Sequence, residues 1–300
     1  MIKINDFNTQ HISCEYADSV IKMERHFKMG NRYLSYILNE RNFRDDIVLC
    51  PPSKLIKVIE SFNLRFPDID YDAEDWRYFR NYMIRQYERV RKGILHLVLN
   101  SLNLSVCPYC NRQYIFGTDN NRKVGAQFDH FYSKSKYPYL ALSFYNLIPC
   151  CPVCNNAKNA EDTFDNKSLL YPFEEEYGYD IFFEIETDEQ LCYLGLSNDF
   201  NIKIKSKENV EEDLKQKVQN SSKILHIEEL YNLHNDYVSK LLRSKYIFTD
   251  EYCQSLLDTY PDWFFDMNEV KNQLYFNSLQ KEGWGEQILS KLTYDILNSE

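Results

Sequence analysis

From Trp76 to Leu97 the apolar residues Trp76, Phe79, Met83, Tyr87, Val90, Ile94 and Leu97 recur in steps of three and four. That spacing draws one stripe on a helix. Arg77, Arg80, Arg85, Arg89, Arg91 and Lys92 fall off the stripe, and Glu88 is the one acid between Trp76 and Gly93. The helix therefore turns a basic face outward, either as an ordinary solvated surface or, through Arg85, Arg89 and Lys92, as a place for phosphate contact. Upstream, SVIKMERHFKMGNRYLSYILNERNFRDDI also reads as helix, whereas CPPSKL and FPDIDYDAED read as turns. Past the middle of the chain, YDIFFEIETDEQLCYLGLSNDFNIKIK alternates β-branched and aromatic residues with polar ones and predicts two or three short antiparallel strands. Helical spacing then returns, with Ile227, Leu230, Tyr231, His234, Val238, Leu241 and Leu242 on a shared side. The pattern divides the chain into a helical region over 1–100, a central segment over 101–180, and short strands followed by helices over 181–300.

At 300 residues and 44% hydrophobic, the chain has enough apolar side chains for a substantial core. It opens on no basic, apolar leader and contains no run of eighteen apolar residues, so a soluble cytoplasmic protein is expected. In that reducing setting nine cysteines do not suggest a disulfide framework, and those that cluster call for a metal or a catalytic role. A net charge of -10 argues against a protein coated in nucleic acid. The segment 101–170 nevertheless carries seven basic residues against five acidic ones, so the acidity lies elsewhere.

That segment contains CPYC at Cys107 to Cys110 and CPVC at Cys151 to Cys154. One pair alone could be a redox dithiol, but two repeats of the pattern make a four-thiolate cage suited to a structural Zn²⁺. Cys150 could compete as a ligand, yet only Cys151 preserves the Cys-Pro-x-Cys register. The pairs stand 40 residues apart, beyond the gap of about 15–20 in a simple zinc ribbon, so further structure must be built inside the loop. Within it Asp129-His130, Asn146 and Asn155 interrupt apolar or aromatic sequence, and buried polar groups need a reason.

Taken in order, Cys-x-x-Cys, Asp-His, Asn-Leu and Cys-x-x-Cys-Asn with a nearby Lys resemble the zinc-containing branch of the HNH endonucleases over about 70 residues. The resemblance implies an α+β protein in which a zinc-stapled ββα-metal core is embedded in mainly helical flanking regions. It implies that His130 is the general base, that Asn146 tethers its loop, and that Asp129 and Asn155 hold a catalytic Mg²⁺ or Mn²⁺. Lys134, Lys136 and Lys158 would then meet phosphate, with DNA as substrate. Ser133 stands where many relatives carry Pro, which bears on the shape of the loop. The flanking LLYPFEEEYGYDIFFEI and LHIEELYNLHNDYV resemble the nuclease of Septu-type antiphage systems, which implies a co-encoded ATPase partner. The competing expectations are a zinc-knuckle module that binds nucleic acid or protein without cutting, and a structural adaptor.

Overall fold

The computed structural model describes residues 1–4, 9–22, 30–93, 98–99, 102, 104–118, 123–164 and 169–299. Two compact units form, one from Lys3–Leu104 with Ile115–Glu175, the other from Met1–Ile2, Ser105–Tyr114 and Glu176–Glu300. Each is assembled from non-contiguous stretches, whereas the sequence pattern divides the chain at residues 100 and 180.

The first unit begins with helices α1 (Thr9–Lys22), α2 (Arg32–Ser35), α3 (Pro52–Arg65) and α4 (Glu74–Gly93). Of the helix expected from SVIKMERH onward, the residues up to Lys22 lie in α1, the next residues lie outside the described ones, and Gly30 turns the chain at φ 102°. That left-handed value suits a residue without Cβ. Asn31 restarts the helix by accepting hydrogen bonds from the backbone N–H groups of Tyr33 and Leu34, each 3.1 Å, an N-cap. CPPSKL, expected as a turn, instead opens α3, because Pro52 occupies its first helical position where a missing N–H costs nothing. On α4 the stripe Trp76, Phe79, Met83, Tyr87 and Val90 is buried as its spacing requires, and Tyr82 and Gln86 widen it. Ile94 and Leu97 lie outside the described residues. The core here is aromatic: Phe62 stacks on Tyr139 with ring centroids 4.0 Å apart, and Tyr33 meets Trp76 edge-on at 5.1 Å.

A small hairpin, β1 (Gly117–Thr118) with β2 (Lys123–Val124), precedes the element that positions the site. Strand β3 (Gln127–His130) pairs antiparallel with β4 (Leu147–Cys150), Asp129 opposite Ile148 and His130 opposite Leu147. Helix α5 (Pro152–Lys158) follows directly, with Pro152 at its first position. A hairpin and a helix thus frame the Asp-His pair.

In the second unit β5 (Ile181–Glu186) and β6 (Asn201–Ser206) form the expected antiparallel pair, with Ile181, Phe183 and Ile185 turned inward. The short helix α6 (Gln190–Tyr193) lies in their connection. Helices α7 (Glu212–Ile224), α8 (Ile227–Tyr231), α9 (Asn235–Ile247), α10 (Asp250–Thr259), α11 (Met267–Tyr275) and α12 (Ser290–Asn298) complete it. Phe183 stacks on Tyr231 at 4.2 Å, while its backbone N–H donates to the Asp295 carboxylate at 2.9 Å. Ile227, Tyr231, Val238, Leu241 and Leu242 are buried along the predicted stripe, whereas Leu230 and His234 are only half-buried.

Asn111, the residue after CPYC, ties this unit together. Its side-chain amide donates to the carbonyls of Trp284 (2.9 Å) and Gln287 (3.3 Å), and its Oδ1 accepts from Ser290 Oγ and the Lys291 N–H, each 3.1 Å. Its φ of 49° is left-handed, a conformation Asn tolerates better than most side chains. Asn111→Ala strands these partners and strains the turn, so it should lower unfolding free energy by about 2–4 kcal/mol, measured by urea denaturation with the metal content held constant.

Candidate active site and metal centre

Cys107, Cys110, Cys151 and Cys154 are all buried, and their four sulfurs lie within 4.8 Å of one another. A tetrahedral Zn²⁺ with Zn–S bonds of about 2.3 Å separates its sulfurs by about 3.8 Å, so the donors are at the right spacing to close on one ion. The local turns support this. The backbone N–H of Arg112 donates to Cys110 Sγ at 3.4 Å, and that of Cys154 to Cys151 Sγ at 3.5 Å, bonds that stabilise thiolate charge. Cys150 is not in the group. It ends β4 as a buried thiol that burial, and then the charge of Asp129, hold well above the usual thiol range.

His130 ends β3, only 6% exposed. Its Nε2 lies 3.1 Å from the Ala141 carbonyl oxygen. A carbonyl can only accept, so Nε2 carries the hydrogen and Nδ1 keeps the lone pair. Burial, and then the charge of Lys134, depress its pKa to about 3 against the partial opposition of the Ala141 bond. The imidazole is therefore neutral at any physiological pH. Tyr87 of α4 meets it edge-on with ring centroids 4.4 Å apart. Asn146 sits beneath the loop that leaves His130: its Oδ1 accepts from the Tyr132 N–H at 2.7 Å, and its Nδ2 donates to the carbonyls of Tyr132 (3.1 Å) and Leu140 (3.0 Å).

Asp129 is buried and receives the ammonium of Lys158 at 3.1 Å, and the same ammonium donates to the His130 carbonyl at 2.9 Å. Lys158, expected to meet phosphate, is instead only 1% exposed, because it compensates a buried carboxylate. One turn earlier on α5, the amide of Asn155 donates to Gln127 Oε1 at 2.5 Å. That bond spends the NH₂ group on Gln127 and leaves the carbonyl oxygen as the atom able to meet a cation. Asp129, His130 and Asn155 line one cleft of about 310 Å³, together with Ser133, Lys134 and Asn159. Asn159 ends α5 at φ 48° and ψ −125°, a strained backbone that favours glycine.

The remaining candidates are placed as follows. Lys134, its pKa lowered by burial, rests over the Tyr87 ring at 4.6 Å and lines the cleft. Lys136 pairs with Asp162. Arg85 and Arg89 are exposed on α4, and the side chain of Lys92 lies outside the described residues. Reasoning from sequence missed Tyr87, Gln127 and the Ala141 carbonyl. Tyr87 was legible only as part of an apolar stripe, and a backbone carbonyl leaves no mark in a sequence.

The cluster makes a direct prediction. Elemental analysis should find one tightly held zinc per chain, Cys107→Ser and Cys151→Ser should lose it along with folded stability, and Cys150→Ser should keep it.

Residues 107–161 match the family model described as HNH endonuclease. The comparison with curated proteins finds no match, and neither does the comparison with solved structures. The matched stretch contains Asp129, His130, Asn146 and Asn155 as well as the four cysteines. Among the described residues no helix is long and apolar enough to cross a membrane. The chain is a mixed α/β protein with flanking helical regions, and its residues 107–161 form an HNH endonuclease domain bearing a four-cysteine cluster able to coordinate a metal ion.

Proposed function

We propose that this domain is a working, metal-dependent nuclease that hydrolyses phosphodiester bonds in DNA. The observation that carries the reading is the state of His130: a neutral ring whose Nε2 hydrogen is committed to Ala141, leaving Nδ1 as a base in a cleft shared with two oxygen-bearing side chains. Such a nitrogen holds its lone pair ready for a proton from an attacking water, while the same burial that keeps it unprotonated weakens it as a base. Tyr87 and the Asn146 bonds hold the ring and its loop in place, so little reorganisation is needed when the proton moves.

Asp129 and Asn155 fit a hard divalent cation, one carboxylate and one amide carbonyl, with room for waters and phosphate oxygens. When bound, Mg²⁺ or Mn²⁺ would supply stabilisation of the charge that grows on the phosphoryl and leaving oxygens. Gln127 keeps the Asn155 amide oriented, and Lys158 holds the Asp129 carboxylate in place. Lys134 is a cation on the cleft wall, and the exposed Arg85 and Arg89 of α4 are available for phosphates farther along a duplex. The closed cysteine cluster holds structure and takes no part in the reaction.

A role as effector in an antiphage system, governed by a co-encoded ATPase, rests on the likeness of the flanking segments alone. An acidic chain with a locally basic nuclease segment suits control by a protein partner better than indiscriminate cutting.

His130→Ala should leave zinc content and DNA affinity near wild type while plasmid cleavage falls by about two to four orders of magnitude. A variant that is folded, zinc-loaded and cuts at the normal rate would overturn the reading. Because burial and Lys134 hold the His130 pKa at about 3, the wild-type cleavage rate should show no inflection near the ordinary histidine value of ~6.5. A rate lost on acidification through that value would mean that the base is solvated and titrates normally.

A further inference from the structure

Three lysines stand around the candidate active cleft, and two of them are committed. Lys158 is bound to Asp129 and the His130 carbonyl, and Lys136 pairs with Asp162. Lys134, half-buried on the cleft wall, makes no ion pair among the described residues. It rests over Tyr87, 4.6 Å from the ring centroid, and the same ring meets His130 edge-on at 4.4 Å. One aromatic side chain therefore supports both a neutral imidazole and an ammonium, and the two line a single cleft with Asp129 and Asn155.

An ammonium without a carboxylate partner keeps its protons available. Burial lowers the Lys134 pKa, Glu88 of α4 and Asp129 of β3 oppose that effect, and Arg91 of α4 adds to it. Lys134 thus gives up a proton more readily than a hydrated lysine does. With His130 unprotonated and Lys134 protonated, the cleft holds a base and an acid side by side. The reaction calls for both. In an in-line displacement the leaving sugar oxygen departs opposite the attacking water, so the group that takes the water's proton is not placed to protonate the oxygen that leaves.

We infer that Lys134 is the general acid of this site, giving a proton to the leaving sugar oxygen of the phosphodiester, an assignment that rests on the nuclease reading. As water attacks, one of its protons passes to His130 Nδ1 and a new P–O bond forms. The bond from phosphorus to the sugar oxygen breaks, its electron pair stays on that oxygen, and the Lys134 ammonium supplies the proton. A phosphomonoester and a free hydroxyl result, and the amine and the imidazolium are reset by exchange with solvent.

The test gives the full chain two duplexes in Mn²⁺, one ordinary and one with sulfur in place of the leaving oxygen at the linkage already mapped on the first. A thiolate departs without a proton. Lys134→Arg keeps the positive charge but holds its protons too tightly to act as an acid. It should therefore cut the ordinary duplex about 10²–10⁴-fold more slowly and the sulfur duplex within about tenfold of wild type. Lys134→Ala should show the same split, with zinc content and the circular dichroism spectrum of both variants unchanged. The wild-type rate on the ordinary duplex should fall as pH rises through the Lys134 pKa, because the ammonium is the working form, and Lys134→Arg should lack that fall. The inference is overturned if Lys134→Arg cuts the ordinary duplex normally, or if wild type cuts the ordinary duplex and leaves the sulfur one intact. An equal loss on both duplexes would also overturn it, as the mark of a phosphate contact alone. Wild type that cuts neither duplex sinks the nuclease reading itself.

Discussion

The candidate active site depends on one buried charge pair. Asp129 is taken out of water at the end of β3, and an isolated carboxylate there would cost several kcal/mol, on the order that forces a group to neutralise or find a partner. Lys158 is that partner, reaching Asp129 and the His130 carbonyl with one ammonium. Because Lys158 ends α5, the same contact fixes the helix against the strand. Asn155 lies three residues earlier on the same helical face, so the pair also brings its amide to the cleft and to Gln127. Removing Lys158 would disturb more than charge, since strand, helix and amide are aligned through it.

Around that pair, burial sets the chemistry of His130. Removal of the ring from water penalises the imidazolium, and the neighbouring Lys134 adds to the penalty. The Ala141 carbonyl then selects the tautomer. A solvated histidine would be partly protonated near neutrality, whereas this one is uniformly neutral and oriented. Tyr87 links that state to α4, whose opposite face carries Arg85 and Arg89. One helix thus contributes an aromatic wedge to the cleft on one side and exposed cations on the other.

The core of the first unit sets a cluster of rings among its aliphatic side chains. Phe62, Tyr139, Tyr33 and Trp76 pack closely enough to stack or meet edge-on, yet flat rings do not fill space on every side. The cavity beside Trp76 and Tyr139 is where that packing remains open.

The sequence by itself determined the parts that depend on local spacing. The stripe of α4, the β5–β6 pair and most of the inward side of Ile227 to Leu242 follow from period 3.6 or period 2, with Leu230 and His234 only half-buried on the last. The two Cys-Pro-x-Cys turns were equally legible, because ligand identity and register are written in the residues, and Cys151 rather than Cys150 joins the group. Local spacing failed at CPPSKL, where prolines that usually break helices begin one, since only position within the first turn distinguishes the two uses. Tertiary structure alone decided that Lys158 faces Asp129 rather than solvent, that Asn111 binds segments more than 170 residues away, and that a backbone carbonyl at Ala141 sets the proton on His130. Each of these is a contact between groups distant in sequence, and burial gives it its strength by removing the water that would otherwise compete for the same donors and charges.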